Sequence, residues 1–229
     1  MNSSKVKKWI SYITMLIIVP AVVIGGACIF REKQYAWITL CVALLSCIPF
    51  VLNFERKEHE PKKLILIAIM VALSVVGRLL FAVIPRFKPV TAFTVITAIY
   101  FGSEAGFMTG ALTAVISNFY FGQGPWTPFQ MLAWGILGLI AGLIAEPLKK
   151  SKIVLCLYGA GAGILFSLIT DIWTVLWYDG YFNFPRYFAA AVSAIPSTVT
   201  YMVSNIIFLL LFIKPFGKIL ERIKIKYGI

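Results

Sequence analysis

Residues 118–134 read N-F-Y-F-G-Q-G-P-W-T-P-F-Q-M-L-A-W, and this stretch decides the architecture. Two glycines and two prolines end one apolar helix and start another, with Pro128 suited to the first turn of the second. Trp126 and Trp134 carry the amphipathic rings favoured at a membrane-water boundary. Gln123 and Gln130 bring amide donors and acceptors to a place where solvation alone does not require them. The stretch is therefore either an interfacial turn with its aromatic belt or a lid over a ligand.

Composition settles the setting. Of 229 residues, 60% are apolar and only 13% charged, which excludes an ordinary water-soluble domain and gives a polytopic membrane protein. The formal charge of +12 does not imply nucleic acid, because the basic residues fall between apolar runs, where they orient the chain. Cys28, Cys41, Cys47 and Cys156 lie inside apolar runs without a Cys-x-x-Cys pair, and the single histidine, His59, sits among charges. A disulfide framework or a metal site is not expected.

Apolar segments at residues 9–30 and 36–54 predict an N-terminal transmembrane hairpin, the first helix an uncleaved anchor. The charged run E-R-K-E-H-E-P-K-K at 55–63 marks a boundary, giving residues 1–60 as hairpin and linker and 61–229 as a second unit. Six further runs follow at 64–84, 89–100, 106–121, 128–146, 153–178 and 187–213. The expected fold is all-α, with eight transmembrane helices, the second of the six being short enough to lie half-buried or tilted. With the amino terminus inside, fifteen Lys and Arg fall in inner segments and five (Arg31, Lys33, Arg86, Lys88, Arg186) in outer loops. Both termini are then expected in the cytoplasm. The outer loops of the six-helix unit are P-R-F-K from Pro85, the G-Q-G-P-W-T-P stretch and Y-D-G-Y-F-N-F-P-R from Tyr178.

Arg78 and Asp171 are charges inside apolar runs, where an ionised group costs roughly 2.5–3.5 kcal/mol. At about 1.5 Å per residue both land in the outer half of their helices, either as a structural ion pair or lining an outward cavity. Hydroxyl stripes at Thr109, Thr113, Ser117 and at Ser193, Ser197, Thr200, Ser204 read chiefly as helix contacts. Small-residue pairs recur: Gly106 with Gly110, Gly138 with Gly142, Ala141 with Ala145 and Ala68 with Ala72. Trp173, Trp177, Tyr178, Tyr181, Phe182 and Phe184 form either an aromatic belt or an apolar wall for a large planar ligand.

With six helices, both ends inside, Ala-x-x-x-Ala at Ala68 and Ala72, a short second helix and outer loops so placed, residues 62–213 resemble the substrate-binding S component of an energy-coupling factor (ECF) transporter, a bacterial vitamin importer of the ABC class. The run F-G-Q-G-P-W-T-P-F-Q-M-L-A-W is similar to members assigned to cobalamin uptake. The added hairpin departs from the six-helix pattern. The resemblance implies location in the bacterial plasma membrane and partners in a transmembrane scaffold and two cytoplasmic ATPases, with Ala68 and Ala72 in the docking surface. It implies a vitamin substrate, foremost cobalamin, captured at the outer face, with no permanently bound cofactor and ATP only on the partners. No G-x-x-x-x-G-K-[ST] loop occurs here, in keeping with ATP hydrolysis elsewhere. Candidate binding residues are Arg78, Asn118, Gln123, Trp126, Gln130, Asp171, Tyr178 and Asn183; amides and aromatics suit a corrinoid, and equally riboflavin or another neutral vitamin.

Two other classes stay open. A membrane enzyme acting on lipid would need paired carboxylates, a metal cluster or a Ser-His arrangement, none of which is evident in the sequence. An autonomous small-solute carrier would rest on Asp171 as its proton carrier.

Overall fold

A computed structural model describes residues 61–228 and, before them, 9, 10, 13–18 and 21. The predicted hairpin lies almost wholly outside the described residues. Eight α-helices follow from residue 61: α1 (Pro61–Leu80), α2 (Val90–Phe101), α3 (Ser103–Phe121), α4 (Thr127–Leu143), α5 (Ala145–Lys150), α6 (Lys152–Asp179), α7 (Phe184–Ser193) and α8 (Ile195–Tyr227). Segments Lys62–Leu80, Lys152–Asp179 and Ile195–Tyr227 are long and apolar enough to cross a membrane; α2 and α4 are apolar but shorter. By length and composition, then, the described residues supply three spans toward the expected eight.

Prolines account for two departures from the expected runs. The segment 128–146 ends as a helix at Leu143, because Pro147 has no N–H to give the Leu143 carbonyl, and α5 begins beyond the break. The segment 187–213 splits at Ala194 for the same reason: Pro196 cannot donate to Val192. Glycines end other helices. Gly102 at φ +93° and Gly122 at φ +98° stop α2 and α3 in backbone conformations that side chains resist.

The short helix α2 is the centre of the bundle. Its twelve residues span only about 18 Å, less than a ~30 Å hydrocarbon layer. Every one except Ile99 is buried, and α1, α3, α4, α5, α6 and α8 all pack against it. A helix enclosed by protein does not have to match the lipid.

The predicted glycine pairs turn out to be two sides of one contact. Helices α3 and α4 make the most extensive helix pair, and a Cβ on Gly138 would overlap the Gly106 backbone, one on Gly110 the Trp134 carbonyl, and one on Gly142 the Ser103 backbone. In lipid, where apolar surface gains little from leaving the solvent, such close backbone approach supplies the van der Waals attraction that joins helices.

Helix α8, 33 residues and so about 50 Å long, runs past the bundle into a basic tail. There Lys149 pairs with Glu221 at 2.5 Å. The α1–α2, α3–α4 and α6–α7 connections lie together at the other end, called here the loop end.

Candidate functional site

At the loop end a cavity of about 340 Å³ opens between α1, α4, α6, α8 and two connections. Arg78 enters from α1, and Arg86 and Lys88 from the α1–α2 connection. Trp126 closes it from the α3–α4 connection, and Phe129, Gln130 and Trp134 line it from α4. Helix α6 presents Phe166, Thr170, Asp171, Trp173 and Thr174, and α8 presents Tyr201.

The aromatic walls are tightly tied. Trp134 and Phe166 lie 4.9 Å apart between centroids, Phe166 and Tyr201 5.0 Å, and Phe129 and Trp173 5.7 Å. Trp134 Nε1 donates to the Tyr201 hydroxyl at 2.7 Å, and that hydroxyl shares a second 2.7 Å hydrogen bond with Thr91 Oγ1. The polar tips of Trp134 and Tyr201 have partners within the protein, so their ring faces remain for a ligand.

Arg78 is 5% exposed and is held by neutral groups: its Nη1 donates to Asn118 Oδ1 at 2.9 Å and to Ser117 Oγ. The guanidinium sits 4.5 Å from the Phe121 ring and 5.0 Å from the Trp134 ring. Among the described residues its Nε has no hydrogen-bond partner, and neither does Asp171 Oδ2. Lys88 Nζ lies 4.9 Å from the same Phe121 ring. Burial, and then the charges of Arg78 and Arg86, lower the Lys88 ammonium to about 8.

The connections themselves are fastened. Ser204 Oγ accepts from the Lys88 N–H at 2.8 Å and donates to the Lys88 carbonyl at 3.2 Å, so one hydroxyl of the α8 stripe holds the first loop. Arg86 takes φ +62°, a conformation uncommon for a side-chain-bearing residue. Gln123 Nε2 donates to the Val115 carbonyl at 2.7 Å, and its Oε1 accepts from Thr127 at 3.0 Å. Asn118 Nδ2 donates to both Gln130 Oε1 and Thr127 Oγ1 at 2.9 Å. A polar chain thus links Arg78, through Asn118, to the lid.

Four of the eight predicted binding residues line the cavity: Arg78, Trp126, Gln130 and Asp171. Asn118, buried behind the wall, positions Arg78 and Gln130. Gln123, Tyr178 and Asn183 are not in the wall: Gln123 fastens the lid, Tyr178 is 71% exposed, and Asn183 caps α7 by accepting from Arg186 N. Ala68 and Ala72 are exposed along one side of α1, beside Ile65, Ile69 and Val76. Phe166, Thr170 and Thr174 escaped sequence reasoning, although their four-residue spacing on α6 marks one stripe beside Asp171; Trp173, read from the sequence as part of a belt or of an apolar wall, lies in the cavity wall.

Residues 58–218 match the family model described as "ECF-type riboflavin transporter, S component". Comparisons with curated proteins and with solved structures return no match.

Proposed function

The chain belongs to the ECF-type riboflavin transporter S component family, and we propose that it captures a planar vitamin of flavin size in the cavity at its loop end. S components of this class are membrane subunits that bind a vitamin and work with a membrane scaffold and ATPases; they are not enzymes. The observation that carries the reading is a cavity walled by Trp126, Phe129, Trp134 and Trp173 beneath the lid. Its 340 Å³ falls at the lower end of the ~300–1,000 Å³ usual for small-molecule sites. That volume suits a single fused-ring heterocycle better than a corrinoid with its peripheral amides. The similarity of the lid run to cobalamin-type members favours the corrinoid, which stays as a second ligand to be tried.

In this reading the loop end faces outward and the basic end inward, the orientation that the bias of Lys and Arg favours. Substrate enters beneath the Gly122–Trp126 lid, stacks on the α4 and α6 aromatics and bonds to Gln130. Ala68 and Ala72 on α1 dock the scaffold, and ATP acts only on the partner subunits. Asp171, near the cationic residues of the cavity, serves binding rather than a proton cycle.

Reconstitution tests the division of labour. Liposomes holding this chain with a scaffold and two ATPases should accumulate a flavin, riboflavin or flavin mononucleotide, when ATP is enclosed on the ATPase side, and liposomes holding the chain alone should not. Gradient-driven uptake by the lone chain would contradict the proposal and favour an autonomous carrier.

A further inference from the structure

The cavity carries more positive charge than a neutral vitamin needs. Arg78, Arg86 and Lys88 line it against one carboxylate, Asp171, and among the described residues none of the three cations is in an ion pair. Arg78 is the most confined: it is 95% buried by its 5% exposure, its Nη1 is occupied by the neutral Ser117 and Asn118, and its Nε is unpartnered. Removing a guanidinium from water without an opposite charge is costly, so the polar clamp holds the cation in place but does not neutralise it. Lys88 adds a second cation beside the same Phe121 ring, 4.9 Å from it against 4.5 Å for Arg78. Two cations near one ring, at a cavity walled by aromatic faces, form a receptor for an anion attached to a flat body.

Resting on the reading of this cavity as the substrate site, we propose that the transported molecule is a planar heterocycle bearing an anionic group, a carboxylate or a phosphate monoester, which Arg78 and Lys88 receive. The ring stacks on Trp126, Trp134 and Trp173, and the anion completes the unpaired charges. Lys88 shares the cavity with Arg78 on α1, Arg86 on its own loop, Asp171 on α6 and Tyr201 on α8. Because burial and the two arginines leave it titrating near 8, the receptor loses one charge as the pH passes that value.

Two matched pairs of probes test this by fluorescence titration of the detergent-purified full chain: riboflavin against flavin mononucleotide, and pterin against pterin-6-carboxylate. At pH 7 the anionic member of at least one pair should bind about 10- to 100-fold more tightly, the size of one charge-assisted hydrogen bond. The pair that shows the gap identifies phosphate or carboxylate as the group. The gap should shrink in Lys88→Gln and on raising the pH to 9, and should shrink in Arg78→Met where that variant folds. Neutral members binding as tightly as anionic ones in both pairs would overturn the anionic assignment while leaving the cavity a vitamin site. Retention of cobalamin with no binding of any of the four would also overturn it and leave vitamin capture standing. Binding of none of the five would remove both.

Discussion

Arg78 and Asp171 line one cavity without forming an ion pair. The guanidinium is held by Ser117 and Asn118 and by the faces of Phe121 and Trp134, leaving both charges available to what enters. Of the two arrangements open from the sequence, a private ion pair or a shared cavity, the second is found.

Asn118 is the joint between the buried cation and the lid, so Asn118→Ala should act on both. Loss of its hydrogen bonds to Arg78, Gln130 and Thr127 is expected to cost about 1.5–3 kcal/mol, because a charged donor loses one of its two acceptors and keeps only Ser117. Thermal unfolding in detergent should show a lowered midpoint, and substrate titration a weaker site. A variant unchanged in both would mean that the network does not hold the site.

The contact between α3 and α4 predicts opposite outcomes for two glycines. Gly138→Ala drives a methyl into the Gly106 backbone and should destabilise by about 1–3 kcal/mol or more. Gly161→Ala on α6 meets open space and should be neutral, or stabilising by up to about 1 kcal/mol through helix propensity. Unfolding midpoints of the two variants, measured side by side, check the pair.

Lys88 gives a pH dependence without ligand. Its folded-state value of about 8 is below the ordinary 10.5, so the unfolded chain holds this proton more tightly than the folded one. The penalty is fully present below about pH 8 and fades as the pH rises toward 10.5. Lys88→Met should therefore raise the unfolding midpoint at pH 7, and its advantage should narrow between pH 8 and 10. An advantage that grows with pH would contradict the assigned burial.

Ala68 and Ala72 are exposed where a partner helix has room to approach. Replacing both with leucine should abolish co-purification of scaffold and ATPases and reduce uptake to background. Ligand titration of the isolated subunit should stay within about twofold, since the α1 face they share is not part of the cavity. Full co-purification of the double variant would place docking elsewhere.

Much of this architecture was legible because membrane helices announce themselves as apolar runs and their breaks as glycine and proline. The run 118–134 holds both the α3–α4 turn and four cavity-lining residues, Trp126, Phe129, Gln130 and Trp134. The breaks at Ile144 and Ala194 were written in Pro147 and Pro196 but were obscured by continuous hydrophobicity across them. The α6 side of the site was harder to see. Trp173 and Trp177 are adjacent turns of one helix, and only three-dimensional packing turns Trp173 toward Phe129. Arg86 and Lys88 look in sequence like ordinary loop charges; the hydrogen bonds between Ser204 and Lys88 bring them over the cavity. Tyr178, in the last turn of α6, and Asn183, the N-cap of α7, are left outside the cavity wall by packing.

The most direct measurement of the central claim is the absorption spectrum retained by the purified protein after incubation with riboflavin, flavin mononucleotide or cobalamin and removal of free ligand, with Trp173→Ala and Gln130→Ala run in parallel. A flavin spectrum near one equivalent in the wild type, reduced at least about tenfold in occupancy at limiting ligand in Trp173→Ala, is the expected result. A retained flavin unaffected by either substitution would place the site elsewhere, and retention of no vitamin at all would contradict substrate capture in this cavity.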